Sequence, residues 1–307
     1  MPPRHENKGA LLALLSAAMW GAFPVIVNRG SRKMPPLLFA AFSTLFAATG
    51  AFVYALIKGK LNELRKKDAY FSLLMVTLLI VIVPYTLFFI GTSKTSGLNT
   101  SLLLMIEIIF TLLFTHFIGE KTTAEKLAGG IGVFIGAVFI LYNGQKGFRA
   151  NTGDLLIIAS TVTYPIGNFY AKKALGMVSP PVILFVRFFF GGLFMAVLAV
   201  TFEANTVKGA PGIMRANWPM LLFTGLVLLG VCKILWYEAL DRLDISKAIS
   251  LVMTFPLFSL AILVGLYGEP VSRYQWAGAA VMMIGVFFTI RRRSVEPHLT
   301  KYGQGPE

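Results

Sequence analysis

Two ionisable residues lie deep inside apolar stretches of this chain, where a charge needs a partner or water. Glu107 is near the middle of the stretch from about 95 to 118, and Lys233 lies about one turn from the middle of the stretch from about 218 to 240. A charge at such depth costs about 3 kcal/mol or more when it faces lipid. Glu107 is therefore a candidate for cation recognition or proton coupling, and Lys233 for binding a substrate carboxylate or pairing with Glu107.

Both residues also have an interpretation without a function. Glu107 could be a neutral acid that is hydrogen-bonded to a neighbouring helix. Lys233 could extend its ammonium group to the membrane surface, but about 9 Å of helix rise separate it from the inner end of its stretch. That distance favours an internal cavity for Lys233.

Aromatic and amide side chains recur at helical spacing around these charges. Lys233 is followed at i+3 and i+4 by Trp236 and Tyr237, which share its face. Two further stretches carry such residues four positions apart: Trp20, Pro24 and Asn28 in one, and Tyr164, Asn168 and Lys172 in the other. Packing within a bundle and a pocket explain these stripes equally well.

Prolines predict breaks in three of the stretches. Pro84, which precedes Tyr85, and also Pro165 and Pro256 each remove a backbone hydrogen bond from a helix. Freed carbonyls are tolerated at membrane depth only where protein or cavity water satisfies them. The breaks are candidate hinges or cavity walls, or else inert kinks. The predicted substrate-binding residues are Trp20, Asn28, Tyr85, Glu107, Tyr164, Asn168, Lys233, Trp236 and Tyr237.

Composition decides what kind of element carries these side chains. Hydrophobic residues make up 56% of the 307 residues, charged residues make up 14%, and the mean hydropathy is +0.72. Soluble domains carry roughly 25% charge. The apolar stretches run about 20 residues, which predicts an all-α integral membrane protein rather than a β-barrel. The first stretch, from Gly9 to about Val27, also fits a signal peptide, but it has a counterpart in the second half.

Ten membrane spans are predicted, joined by short loops. They cover about 9–28, 36–57, 70–91, 95–118, 124–143, 153–174, 180–202, 218–240, 245–267 and 274–291. With both termini cytoplasmic, 17 of the 28 lysines and arginines lie on the inner side and 9 on the outer side. This bias favours that orientation, because basic residues concentrate in cytoplasmic loops. It also explains the net charge of +14 without a nucleic-acid partner.

The two halves of the chain repeat each other. Gly119-Glu120, Ala128-Gly129 and Gly136 recur 149 residues later as Gly268-Glu269, Ala277-Gly278 and Gly285. Five spans per half would make the second half enter the membrane from the opposite side. Such an inverted repeat is the usual construction of a small-molecule carrier. The predicted organisation is a tail at 1–8, repeats at 9–143 and 153–291, and a tail at 292–307.

Several phrases together resemble the EamA family of the drug/metabolite transporter superfamily. They are Met19-Trp20-Gly21-Ala22, Pro180 followed seven residues later by Arg187, and the two Gly-Glu phrases. The resemblance covers about residues 8–292. It implies ten helices around a central cavity and the movement of small metabolites, by export in many members. Arg187 matches a family position that is kept across varied substrates, which favours a structural role, with substrate contact as the alternative.

The Gly-Glu phrases themselves are interpreted as structural. The opposite orientation of the halves puts Glu120 and Glu269 on different sides of the membrane. Thr122-x-x-Glu125 and Ser272-x-x-Gln275 fit capping boxes that start the next helices. Gly132-x-x-x-Gly136 allows close helix contact, either within the bundle or at a dimer face.

The favoured function is secondary transport of a small metabolite. The alternatives are another substrate class, a channel and a membrane-embedded enzyme. An acid and two bases near one depth suit a zwitterion such as an amino acid, moved by alternating access across the cytoplasmic membrane. Organic cations, drugs and phosphorylated sugars are alternative substrates. A membrane-embedded enzyme fits less well, because the chain has one cysteine, three histidines and no metal-ligand motif. A channel is the other less favoured alternative, and it would show fluxes that do not saturate and no counterflow. We expect a monomer or weak homodimer in the lipid bilayer, without cofactor or metal, coupled to a proton or other gradient.

Overall fold

The chain folds into a bundle of helices. The computed structural model describes residues 3–117, 123–142, 151–240, 242, 251–252 and 254–290, and within these residues it contains helices and no strand. Seven of the described helices are long and apolar enough to cross a membrane. The prediction of a multi-span helical membrane protein is therefore confirmed, whereas the division into ten spans stays a prediction.

The helices follow the apolar stretches closely. They are α1 (Pro3–Ser31), α2 (Pro36–Ile57), α3 (Lys67–Ser93), α4 (Gly97–Phe114), α5 (Ala124–Tyr142), α6 (Thr152–Thr161), α7 (Tyr164–Leu175), α8 (Pro180–Phe202), α9 (Ala210–Ala239), α10 (Phe255–Gly265) and α11 (Arg273–Ile290). The predicted sixth span is divided into α6 and α7, with a break before Pro165. Residues 243–250 and 253, which include the start of the predicted ninth span, lie outside the described residues.

Helix starts are fixed by local side chains. The predicted capping box of α11 is present: the Gln275 N–H donates to Ser272 Oγ (3.2 Å), and the Ser272 N–H donates to Gln275 Oε1 (3.1 Å). At α5 the capping hydroxyl is that of Thr123, which accepts from the Lys126 N–H (3.4 Å). The predicted cap, Thr122, lies outside the described residues. These bonds satisfy N–H groups that have no partner inside the helix.

Glycines bring α5 and α11 into close contact. A Cβ atom added at Gly136 would lie 2.6 Å from the carbonyl oxygen of Gly278, and one added at Gly285 would lie 2.6 Å from that of Gly129. One added at Gly132 would lie 3.1 Å from the Gly285 Cα. Only a residue without a side chain fits at such a crossing. The predicted packing of Gly132-x-x-x-Gly136 within the bundle is confirmed.

Helices α2 and α8 pack along each other, and the loop after each one caps the start of the other. Glu203, at the end of α8, accepts hydrogen bonds from the Leu37 and Leu38 N–H groups, both at 2.9 Å. Glu63, after α2, accepts one from the Ser179 N–H at 2.6 Å. A carboxylate at a helix N-terminus satisfies unpaired donors and complements the helix dipole. The two acids therefore join the halves of the chain at both ends of this helix pair.

The environments of these two acids differ. Burial raises the pKa of the Glu63 carboxyl. The hydrogen bonds from Ser179 and the charges of Lys60 and Lys66 lower it by more than burial raises it, so that the pKa lies below the ordinary value. At Glu203 burial outweighs the two backbone hydrogen bonds, so that its pKa lies above the ordinary value. Acidification therefore acts first on the Glu203 contact and later on the Glu63 contact.

Candidate functional site

Irregular turns precede three of the predicted site residues. In α3 a π-helical segment, Thr77–Ile82, ends shortly before Tyr85. In α9 a longer one, Phe223–Val231, ends just before Lys233. In α4 a 3₁₀ turn ends at Ile106, immediately before Glu107. Such turns change the direction in which the following side chains leave the helix, and π-helical turns are frequent at functional sites.

The break between α6 and α7 is tied to the irregular part of α3. Thr163, at the break, donates its hydroxyl hydrogen to the carbonyl oxygen of Leu79 (2.9 Å), inside the π-helical segment. The next residue, Tyr164, starts α7. A Cβ atom added at Gly167 would lie 2.5 Å from a side-chain carbon of Ile80, so α7 approaches this segment closely. A polar side chain thus satisfies backbone that the irregular turn frees.

Lys233 and Trp20 face each other across α9 and α1. The Lys233 Nζ lies 3.7 Å from the centroid of the Trp20 ring, which is a close cation–π contact. On its other side the Trp20 ring stacks on Phe23, with ring centroids 5.0 Å apart. Phe23 in turn lies 6.2 Å from the Tyr85 ring. The ammonium group therefore rests on one end of an aromatic cluster that continues toward α3.

Glu107 lies near enough to Lys233 for their charges to interact. Among the described residues no direct ion pair joins them. Tyr164 lies within electrostatic reach of both Glu107 and Tyr85. Glu107, Tyr164 and Lys233 are surrounded by protein, yet each keeps part of its surface accessible. All three side chains therefore lie partly buried between helices of the bundle.

Arg187 is the second cation of this region. Its charge reaches Lys233, Tyr85 and Tyr164, and its guanidinium carbon lies 4.6 Å from the centroid of the neighbouring Phe188 ring. The side chain is only 6% exposed. Its Nε has no hydrogen-bond partner in the described part of the chain. The carbonyl or helix-capping contact expected for a structural arginine is not among its contacts there.

Five predicted site residues thus lie near one another and near Arg187, and we call these six residues the cluster: Trp20, Tyr85, Glu107, Tyr164, Lys233 and Arg187. The other four predicted site residues lie elsewhere. Asn168 is exposed on α7, and no contact within the described ranges joins it to the cluster. Trp236 packs in a small separate cluster beside Leu12 of α1. Tyr237 is half-buried at the edge of the main core.

Asn28 belongs to a different group. Its amide nitrogen donates to the carbonyl oxygens of Thr92 (2.6 Å) and Thr95 (3.0 Å). Arg32 also donates to the Thr95 carbonyl oxygen. Asn28 is therefore occupied in joining α1 to the end of α3, about 12 Å of helix rise from Trp20.

The same end of the bundle is held by further buried polar contacts. Asp154 accepts from the Thr95 hydroxyl (2.5 Å) and from the Asn99 amide (3.1 Å). Gln275 donates to the Asn99 side-chain oxygen (3.2 Å), which adds α11 to the group. These bonds join the connection between α3 and α4 with α4, α6 and α11 at this end of the bundle.

Glu269 adds contacts with α4 and α1 at the same end. Its carboxylate accepts from the Leu98 N–H (3.3 Å) at the start of α4 and lies 3.8 Å from an Arg29 guanidinium nitrogen. The interpretation of this Gly-Glu phrase as structural agrees with these contacts. Glu120, its counterpart in the first half, lies outside the described residues.

Several of these residues were not predicted from the sequence. Thr163, Phe23 and Thr95 carry no motif, because their partners are distant in the chain. Asp154 did have a signal: Asn151 and Asp154 form a capping box at the start of α6. Asn or Asp followed three residues later by an acid is the usual mark of a helix start.

A model of the EamA-like transporter family matches the chain twice, over residues 7–142 and 151–291. The chain belongs to the EamA-like transporter family. This EamA-like protein is therefore a membrane transporter and not an enzyme, as its sequence predicts.

Curated relatives agree with that membership. The EamA-like protein is 26% identical to the uncharacterized transporter YoaV of Bacillus subtilis, over 93% of this chain and 99% of the relative. It is 26% identical to a probable amino-acid metabolite efflux pump of Salmonella typhimurium and 24% identical to one of Escherichia coli, each over 93% of this chain and 95% of the relative. The match spans nearly the whole length of each pair.

A solved crystal structure is similar to the EamA-like protein with a TM-score of 0.66. The two chains are 16% identical, and the alignment covers 92% of this chain and 96% of the other. This likeness establishes a shared fold.

Proposed function

We propose that this EamA-like protein is a secondary transporter that exports small organic metabolites, such as amino acids, across the cytoplasmic membrane. The observation that carries the proposal is the enclosed cluster in which Glu107 and Lys233 carry opposite charges beside the Trp20 ring. A few polar groups within apolar walls are the usual make-up of a small-molecule site. The two relatives named as amino-acid metabolite efflux pumps support the substrate class and the direction.

The transport mechanism is alternating access, driven by a gradient. The sequence contains no nucleotide-binding motif that would supply energy from hydrolysis. In this mechanism Trp20, Tyr85 and Tyr164 form the walls of the site, while Glu107 and Lys233 supply its charged groups. Glu107 is also the candidate proton acceptor, because it is the carboxylate of the cluster.

The proposed architecture has ten spans in two inverted five-span repeats. Two observations support it. The family model matches each half separately. In addition, the contacts of Gly136 with Gly278 and of Gly285 with Gly129 exchange into each other when every glycine is replaced by its counterpart 149 residues away. A two-fold axis between α5 and α11 produces this reciprocity.

The proposed orientation has both termini in the cytoplasm. The excess of basic residues in the loops on that side supports it. The polar contacts around Asn28 and Glu269 then lie at the outer end of the bundle. Substrate would reach the cluster from the inner side in this conformation.

The test is counterflow in proteoliposomes that contain the purified protein. Vesicles are loaded with a panel of amino acids, organic cations and sugar phosphates, and exchange of the labelled compound is followed. We expect saturable counterflow with amino acids or related metabolites. Counterflow with organic cations or sugar phosphates alone would replace the substrate class, and flux without saturation or counterflow would indicate a channel.

A matched pair of variants links the activity to the cluster. Glu107→Gln removes the enclosed carboxylate and should abolish or strongly reduce counterflow. Glu125→Gln makes the same chemical change at an exposed position near the start of α5 and should leave counterflow unchanged. If both folded variants transport equally well, the cluster is not the transport site.

A further inference from the structure

Arg187 is buried with an Nε that has no hydrogen-bond partner among the described residues. It is a guanidinium group with five N–H donors and no acceptor of its own. Its side chain is 6% exposed. A charged group buried without hydrogen bonds is costly, so such groups are normally paired.

The described neighbouring groups do not provide such a pairing. Phe188 offers only the face of its ring to the guanidinium, 4.6 Å from the ring centroid. Tyr85 and Tyr164 lie within electrostatic reach but form no hydrogen bond with Arg187 in the described part of the chain. Lys233 lies within reach as well, and its like charge adds repulsion.

The one acid of the cluster is already opposed by a different cation. The Glu107 charge interacts with that of Lys233, whose ammonium also rests on the Trp20 ring at 3.7 Å. With one acid and two bases, Glu107, Lys233 and Arg187 together carry one positive charge in excess. An anion with two acceptor oxygens fits that excess, because a guanidinium binds a carboxylate through two parallel hydrogen bonds.

We infer that Arg187 receives the carboxylate of the substrate, and that this transporter recognises its substrates as carboxylates. The inference rests on the proposed function and sharpens its substrate class. A free amino group is then dispensable, because Lys233 already supplies a positive charge near Glu107. The carboxylate is indispensable, because among the described residues no group pairs with Arg187.

The experiment compares three probes that share one side chain: L-phenylalanine, N-acetyl-L-phenylalanine and L-phenylalanine amide. Phenylalanine suits the aromatic walls formed by Trp20 and Tyr85. Binding to the purified full-length protein is measured by calorimetry, and uptake is measured in proteoliposomes. We expect the two carboxylates to bind, and the amide to bind roughly 10- to 100-fold more weakly, as for the loss of a charge-assisted hydrogen bond.

Variants then assign that preference to Arg187. Arg187→Gln should weaken binding of the two carboxylates and leave the amide nearly unchanged, so that the preference disappears. Arg187→Lys keeps the charge without the two-pronged geometry and should retain part of the preference; it also serves if the glutamine variant fails to fold. Arg215→Gln, at an exposed position of α9, is the matched control.

Each outcome decides the question. An acid preference that survives in both Arg187 variants overturns the inference and leaves transport intact. Equal binding of acid and amide by the unaltered protein does the same. If no amino-acid derivative binds or is transported, the proposed substrate class fails and the inference falls with it.

Discussion

Replacing Lys233 should destabilise the protein more than replacing Glu107, although both substitutions remove one charge from the same enclosed cluster. The Lys233 ammonium is attracted by the Trp20 ring at 3.7 Å and by the Glu107 carboxylate, and it is repelled by the charge of Arg187. Within that cluster Glu107 has only the charge of Lys233 to oppose its own. Loss of the Lys233 side chain therefore removes more attractive interactions than loss of the Glu107 charge.

The magnitudes follow from this asymmetry. Lys233→Met removes a desolvated cation–π contact, worth about 2 kcal/mol. It also leaves the Glu107 carboxylate without the nearby charge of Lys233, an interaction without direct contact that adds about 0.5–3 kcal/mol, the range for coupled neighbours. Glu107→Gln leaves the lysine on the Trp20 ring and should cost about 1–2 kcal/mol, since one of its two partners remains. Methionine keeps much of the lysine volume, so loss of packing contributes little.

The assay is thermal unfolding of the purified variants, followed by intrinsic fluorescence in one detergent and buffer. The order of Tm should be unaltered protein, then Glu107→Gln, then Lys233→Met. The double variant should be more stable than the sum of the single changes predicts, with a coupling of about 0.5–3 kcal/mol. Lys94→Met, at an exposed position after α3, controls for the loss of a lysine.

Two results would refute the reasoning. If the two single variants lose equal stability, Trp20 does not act as a second partner for the ammonium group. If the effects add without coupling, Glu107 and Lys233 do not sense each other, and the charge balance assigned to the cluster is wrong.

Three further predictions concern the scaffold. The pKa of Glu63 in the folded protein lies below its ordinary value. Its stabilisation is therefore present above about pH 4.3 and is lost as the pH falls through the folded pKa. Thermal unfolding across pH 3–7 should show this loss of stability, and the loss should disappear in Glu63→Gln. Gly136→Ala places a methyl group 2.6 Å from a backbone oxygen of the facing helix and should cost about 1–3 kcal/mol, whereas Gly265→Ala, with no atom within 4 Å, should be tolerated in the same unfolding assay. With Cys232 replaced, a single cysteine in the 144–152 loop should react with an impermeant reagent on intact cells while one in either tail stays protected; the reverse pattern would overturn the orientation and the inverted repeat with it.

The sequence by itself determines the class of this protein and much of its local structure. Apolar stretches of about 20 residues with few charges can only be membrane helices, because backbone groups in lipid must be satisfied within the segment. The capping box at Ser272 and the glycine contact at Gly136 were also readable, since both depend on residues close in sequence or on the absence of a side chain. The position of Glu107 and Lys233 deep within their apolar stretches is likewise a property of the sequence alone.

The tertiary structure decided which of these side chains meet. Trp20 and Asn28 share one face of α1, yet Trp20 meets Lys233 while Asn28 is bound to Thr92 and Thr95 at the end of α3. Spacing along a helix says which face a residue occupies, but the neighbours at each depth come from other helices. The π-helical turns before Tyr85 and Lys233 were equally hidden, since a shift in backbone hydrogen bonding leaves no mark in composition. The isolation of Arg187 could come only from the packed bundle, because a missing partner becomes visible when every neighbouring helix is in place.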